Sequence, residues 1–163
     1  MRVGIGFDIH PFIDGKQLIL GGVEIPYSMG LEGHSDGDVL LHAVIDALLG
    51  ATASGDIGKH FPPGNPEYKG ISSIILLRRT RDLLNAKGWQ TGNIDASVVA
   101  SAPILQPYIE SMRLKIADTL GVTHDRVSVK AKTANTLDAA GKGEGIEALA
   151  VAVVFKEGIN ENT

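Results

Sequence analysis

The chain has 163 residues, of which 44% are hydrophobic and 21% charged, enough apolar content for one buried core and too much for a disordered tail. Lys+Arg 15 against Asp+Glu 19 leaves a net charge of −4, the wrong sign for a general nucleic-acid footprint. Cys is 0, which rules out disulfides, thiolate catalysis, cysteine zinc sites and iron–sulfur clusters, so any metal must be held by nitrogen and oxygen.

In chain order, Val3, Ile5 and Phe7 alternate with other residues at the period of a strand. Leu18-Ile19-Leu20, then Gly21-Gly22, then Val23-Glu24-Ile25 read as a β-hairpin closed off by Pro26. From Asp38 to about Ala53 the pattern is helical, with N-cap candidates in Ser35-Asp36. A Gly/Pro-rich loop runs from Gly55 to Gly70. Ser72 or Ser73 caps a second predicted helix that ends near Lys87, with Gly88 just beyond. Asn93 to Ser101 alternates like a strand, and Ile109, Met112, Ile116 and Leu120 mark one face of a third helix stopped at Gly121. Arg126 to Thr133 is another alternating strand. Ile146 to Phe155 is apolar on both faces, which predicts a buried central strand. This order predicts one domain, 1–157, with helices packed on a single sheet, followed by a frayed tail at 158–163. Aromatic residues are only 5%, so the core should be aliphatic. No apolar run approaches the roughly 18 residues that span a bilayer, and MRVGIGFDIH lacks a signal-peptide shape. The expectation is a cytoplasmic protein or the mature form of an organelle one, with no membrane partner.

Two polar segments stand out against this background. Asp8 and His10 leave the first strand two residues apart, so in extended chain both project to one side and can reach one ion. The plainer reading is a turn carboxylate beside a surface imidazole. Asp38, His42 and Asp46 are spaced i, i+4, i+8 and form one polar stripe on a helix that is otherwise apolar nearly all round. Such a stripe is either a ligand site or a capped helix whose His42 bridges two carboxylates. Joining the segments yields Asp8, His10 and His42 as three ligands. That is the catalytic arrangement for zinc, though the same donors suit non-haem iron. Asp38 or Asp46 would then be the second carboxylate that orients His42.

Weaker signals remain. Gly55-Asp56-Ile57-Gly58 and Gly141-Lys142-Gly143-Glu144-Gly145 are glycine loops without the context of a dinucleotide fingerprint, and Gly4-Ile5-Gly6 reads as strand packing. Lys130-Ala131-Lys132-Thr133 ends a strand where a lysine and a hydroxyl can meet phosphate, or where lysines defend a sheet edge. Arg78, Arg79 and Arg81 read as a solvated helix face, and His60 and His124 as loop histidines.

The order of these motifs resembles the 2-C-methyl-D-erythritol 2,4-cyclodiphosphate synthase family of the non-mevalonate isoprenoid pathway. The residues that carry the resemblance are Gly6-Phe7-Asp8-Ile9-His10, His34-Ser35-Asp36-Gly37-Asp38, His42, Asp46 to Leu48, Gly55-Asp56-Ile57-Gly58, Phe61-Pro62, Lys69-Gly70, Ala102-Pro103, Lys130-Ala131 and Gly143-Glu144-Gly145. It runs from the first strand to the last. It implies an α+β fold with a single mixed four-stranded sheet, helices on one face and a small β-hairpin, assembled as a homotrimer with active sites between subunits. It implies conversion of 4-diphosphocytidyl-2-C-methyl-D-erythritol 2-phosphate to the cyclic diphosphate with release of CMP. By the same resemblance Asp8, His10 and His42 would hold zinc, and His34 and Thr133 would stabilise transition-state charge. Asp56, Ile57 and Gly58 would meet the sugar or polyol, with Ser35, Phe61 and Asn65 nearby. Ala100, Pro103 and Leu105, with Ala131, Lys132, Asn135 and Lys142, would line the cytidine and phosphate side. For a bacterial member the compartment is the cytoplasm, and for a mature organelle form the plastid stroma.

The chain departs from the family at several of these places. Asn135 stands where the family usually carries Glu, whose carboxylate helps hold a second divalent ion, magnesium or manganese. Asn65 replaces a common Asp and Ile104 a common Lys. Asp138, Ala139 and Lys142 replace the family's usual residues near the trimer axis, and a lysine cannot grip phosphate bidentately as arginine does. Two other readings compete: a zinc phosphohydrolase, and a trimeric nucleotide-diphosphate binding protein that has lost turnover, for which Asn135 and the altered 135–142 loop speak.

Overall fold

Strand β1 (Arg2–Asp14) turns its glycines, not its large apolar residues, toward the helices. Gly4 and Gly6 are buried, whereas Val3, Ile5 and Phe7 are 64%, 66% and 56% exposed. A Cβ at Gly4 would lie 2.0 Å from the carbonyl oxygen of Ala47, and one at Gly6 2.0 Å from that of Ala43. Only glycine permits helix and strand backbones to approach so closely. The structure, a computed structural model, describes residues 1–156, so the tail expected to fray at 158–163 and the boundary at 157 lie outside the described residues.

Strands β2 (Leu18–Leu20) and β3 (Val23–Ile25) form the expected hairpin through Gly21 and Gly22. These have φ of +57° and +73°, the left-handed pair that a two-residue turn requires. Strand β4 (Met29–Leu31) leads into helix α1 (Val39–Ala51). The cap of α1 is Asp38, not Ser35 or Asp36: its Oδ1 accepts the Leu41 N–H at 3.0 Å. The same fully buried carboxylate accepts from Gly21 N at 3.0 Å and Gly22 N at 2.7 Å, so one side chain fastens the hairpin turn to the helix start. The predicted loop contains a short helix, α2 (Ile57–His60), capped by Asp56. Helix α3 (Ser73–Ala86), strand β5 (Trp89–Val99), helix α4 (Ile109–Leu120), strand β6 (Val127–Lys132) and strand β7 (Gly145–Lys156) follow close to their expected positions. Gly121 ends α4 in the left-handed conformation.

The main sheet has five strands in the order β4-β1-β7-β5-β6, mixed because only β5 and β6 run parallel. Four strands were expected, and the additional one is β4. β1 outruns β7, whose pairing ends at Pro11↔Gly145, and its last residues pair with β4 at Phe12↔Leu31 to Asp14↔Met29. A three-residue strand carries too little alternation to be read from sequence. β7 is central, as predicted, but among the described residues only one of its faces is covered. Ala148, Ala150, Ala152 and Val154 are fully buried toward the helices, while Leu149 is 43% exposed on the other side. Leu149 joins Val3, Ile5, Phe7 and Ile9 on an apolar sheet face that, among the described residues, no helix covers. The core between sheet and helices is aliphatic, built on Leu40, Leu41, Ile45, Leu48, Leu77 and Ile94.

Candidate metal centre

Asp8 and His10 project from β1 and meet His42, on the first turn of α1, because the Gly4 and Gly6 contacts press that helix onto the strand. His10 Nε2 lies 2.8 Å from Asp8 Oδ2, His42 Nδ1 lies 2.9 Å from the same oxygen, and the two nitrogens are 3.3 Å apart. A tetrahedral zinc with ligands about 2.0–2.1 Å away has ligand–ligand edges of about 3.3 Å, so this triangle is close to one face of such a site. Among the described residues, this is the cluster of histidines and acids that can hold a metal ion.

The protons support the fit. His10 Nδ1 hydrogen-bonds the Glu32 carbonyl, which requires an N–H there and leaves Nε2 bare. His42 Nε2 faces the hydroxyls of Ser35 at 2.9 Å and Ser73 at 3.1 Å, leaving Nδ1 toward Asp8. The His10 lone pair, His42 Nδ1 and a carboxylate oxygen thus converge, the kinds of donor atom that a cation takes. Burial pushes the Asp8 carboxyl up, but the two imidazoles packed against it, His10 and His42, outweigh that and hold the group well below the usual carboxylate range. Burial lowers His10, and its bonds to Asp8 and the Glu32 carbonyl more than reverse that, so its net shift is upward.

The carboxylates expected to orient His42 do not touch its ring. Asp38 is committed to the backbone of Gly21, Gly22 and Leu41, and Asp46 accepts the Ile57 N–H at 2.7 Å. The i, i+4, i+8 spacing aligned their Cα atoms correctly, but both side chains serve neighbouring backbone instead. Burial, with the nearby Asp36 charge, pushes Asp38 up to about 6 despite its backbone bonds. Burial also raises Asp46, partly offset by the Ile57 N–H. Around His42 stand instead Ser35, Ser73 and, behind Ser73, Asp36. In the sequence Ser73 and Asp36 read as ordinary helix-capping residues, and nothing local signals that 37 positions apart they meet.

The remaining predicted site residues fall in two groups. On the metal side, His34 is exposed and its carbonyl accepts from Gly70 N at 2.7 Å, and Ser35 is buried. Asp56 and Asn65 cap α2 and the turn at Pro66–Tyr68, Ile57 is half-buried, Gly58 is exposed, and Phe61 is buried edge-on to Tyr68. The second group lies across the sheet. Ala100 N donates to the Lys132 carbonyl at 3.0 Å, and Pro103 and Leu105 follow it. Ala131, Lys132, Thr133, Asn135 and Lys142 are exposed, with Thr133 Oγ1 accepting from Asn135 N at 3.3 Å. The register runs His10↔Ile146, Glu147↔Val99 and Val99↔Lys132. Three strand spacings, about 14 Å, therefore separate the end of β6 from the metal cluster. One chain does not bring the two groups together. Of the weaker signals, Lys130 pairs with Asp95 at 2.6 Å on the edge strand, and Arg81 Nη1 donates to the Thr119 carbonyl at 2.8 Å, bridging α3 to α4 rather than lying free in solvent.

The YgbB family profile matches residues 1–155. A 2-C-methyl-D-erythritol 2,4-cyclodiphosphate synthase from Desulforamulus reducens is 57% identical over 154 residues, covering 94% of this chain and 98% of that protein. The bifunctional IspDF from Campylobacter jejuni superposes with a TM-score of 0.91 at 39% identity, covering 95% of this chain and 42% of that one. The IspF of Plasmodium falciparum, solved as a CDP complex, superposes at 0.83 with 34% identity, covering 96% and 97%.

Proposed function

The chain belongs to the YgbB family, in which its curated relatives are 2-C-methyl-D-erythritol 2,4-cyclodiphosphate synthases, and from that membership we propose how its residues carry the reaction. It converts 4-diphosphocytidyl-2-C-methyl-D-erythritol 2-phosphate to the 2,4-cyclodiphosphate and CMP in non-mevalonate isoprenoid biosynthesis. An oxygen of the 2-phosphate bonds to the β-phosphorus, the bond from that phosphorus to the bridging oxygen breaks, and CMP departs with the electron pair. This makes the enzyme a phosphorus–oxygen lyase.

The observation that carries this reading is the donor triangle of Asp8, His10 and His42, whose three ligand atoms lie within reach of one ion. These three residues would hold a zinc ion, which when bound withdraws charge from the diphosphate. The rest of the work is positioning. A phosphate is already a nucleophile at neutral pH, so the protein needs no general base and acts by alignment and charge stabilisation. His34 and Thr133 hydrogen-bond the phosphoryl oxygens as charge develops. Asp56, Ile57 and Gly58 hold the polyol beside Ser35, with Phe61 and Asn65 closing that side. Ala100, Pro103, Leu105, Ala131 and Lys132 receive the cytidine and α-phosphate, and Lys142 adds a positive charge at their rim. Asn135 would offer a neutral amide toward a second divalent ion, magnesium or manganese, which when bound would offset phosphate charge.

The active unit is a homotrimer of single domains working in the cytoplasm. The uncovered apolar face of Val3, Ile5, Phe7 and Leu149 favours burial against other copies. The gap of about 14 Å between the metal cluster and the end of β6 favours a site completed by a neighbouring subunit.

Incubating the protein with the diphosphocytidyl substrate and following CMP against cyclic product tests the function. CMP with cyclic product is expected. CMP with a linear product would make it a phosphohydrolase, and tight binding without CMP a nucleotide-diphosphate binding protein.

A further inference from the structure

Ser73, the first residue of α3, is fully buried, and its hydroxyl donates to Asp36 Oδ1 at 2.5 Å. A hydroxyl has one proton, so the proton held by Asp36 cannot also point at His42. Ser73 Oγ nevertheless lies 3.1 Å from His42 Nε2, and that contact is a hydrogen bond only when Nε2 carries the hydrogen. Asp36 is itself held by main chain: its Oδ2 accepts Ser73 N at 2.9 Å and its Oδ1 accepts Asp38 N at 3.2 Å. The direction of the chain therefore starts at a fixed carboxylate and runs outward. Ser35 cannot impose it. Its Oγ is 2.9 Å from Nε2, but it has no carboxylate to take its proton and is free to turn toward ring, Ser73 or bound ligand.

We propose that Asp36 and Ser73 form a positioning unit that locks His42 in the tautomer with a bare Nδ1, the one able to ligate metal. This rests on the metal reading given above and adds to it two residues that touch neither metal nor substrate. The carboxylate at the far end also makes the imidazole a stronger donor, as carboxylates behind metal-bound histidines do. It couples the start of α3 to the metal cluster, since Ser73 opens that helix.

Two measurements on the 163-residue chain test the unit. In metal-free wild type, 15N NMR of the neutral His42 ring should show a protonated Nε2 and a bare Nδ1, and the opposite tautomer overturns the proposal. In competition between zinc and a chromophoric chelator, Ser73→Ala should weaken zinc binding about 10–100-fold, while Ser73→Thr, which restores the hydroxyl, keeps wild-type affinity. Asp36→Asn should weaken it as well, because the Asn amide donates to Ser73 and sends the hydroxyl proton toward Nε2. Equal zinc affinity in wild type and Ser73→Ala overturns the proposal. A wild type that binds no zinc overturns the metal reading instead, and the tautomer still decides this one.

Discussion

His42 Nδ1 and His10 Nε2 stand 3.3 Å apart, each within 2.9 Å of Asp8 Oδ2, while the far nitrogens of the two rings face Ser35 and Ser73 in one case and the Glu32 carbonyl in the other. Three ligand atoms therefore converge on one point, and the cluster is built to receive positive charge.

Removing one corner should empty it. His42→Ala is expected to abolish bound zinc and turnover while leaving the fold and its assembly intact, since the ring sits at the edge of the core and is 8% exposed. Metal analysis beside circular dichroism and size measurement checks this. Full activity in a zinc-free sample of the variant contradicts the assignment.

The glycines of β1 make a prediction about stability rather than chemistry. Gly6→Ala places a methyl 2.0 Å from the Ala43 carbonyl oxygen, which is helix backbone and cannot rotate away. Helix α1 must lift, at a cost of about 2 kcal/mol or more, and the same movement should loosen His42 from Asp8. Denaturant unfolding measures the first effect and zinc affinity the second. A loss under about 0.5 kcal/mol would show that the helix yields freely.

Asp38 predicts a pH dependence. Its folded pKa of about 6 lies above the ordinary value of 3.8, so the folded chain holds that proton more tightly than the unfolded one. The stability it contributes is complete below the ordinary value and lost as pH rises through about 6. Comparison of wild type with Asp38→Asn should show wild type losing on the order of 3 kcal/mol relative to the variant between about pH 4 and about pH 7. A difference that stays flat with pH would mean that the three backbone N–H groups keep the carboxylate ionised throughout.

Asn135 has φ +51°, a left-handed conformation that asparagine tolerates better than glutamate. Asn135→Glu should therefore cost about 1 kcal/mol of stability while sharpening the dependence of turnover on magnesium or manganese. An unchanged metal titration would show that this position does not address the second ion.

Much of the architecture was legible because it rests on local rules. Gly21-Gly22 dictated the hairpin turn, Gly121 the end of α4, and alternation the long strands. The triad was legible too, since i, i+2 spacing in a strand and one histidine on an apolar helix restrict what can meet. What the sequence alone could not decide was everything set by contacts between distant segments. The apolar residues of β1 announced a strand but not that they would face away from the helices, a choice made by the space at Gly4 and Gly6. Asp38 and Asp46 lay on the correct stripe, yet the backbone of the hairpin and of α2 claimed them first. The groups behind His42 came from the loop before α1 and the start of α3, which only packing brings together. Length and composition established an aliphatic core and limited any metal to nitrogen and oxygen donors, and tertiary structure decided which of those donors meet, because only packing brings distant segments together.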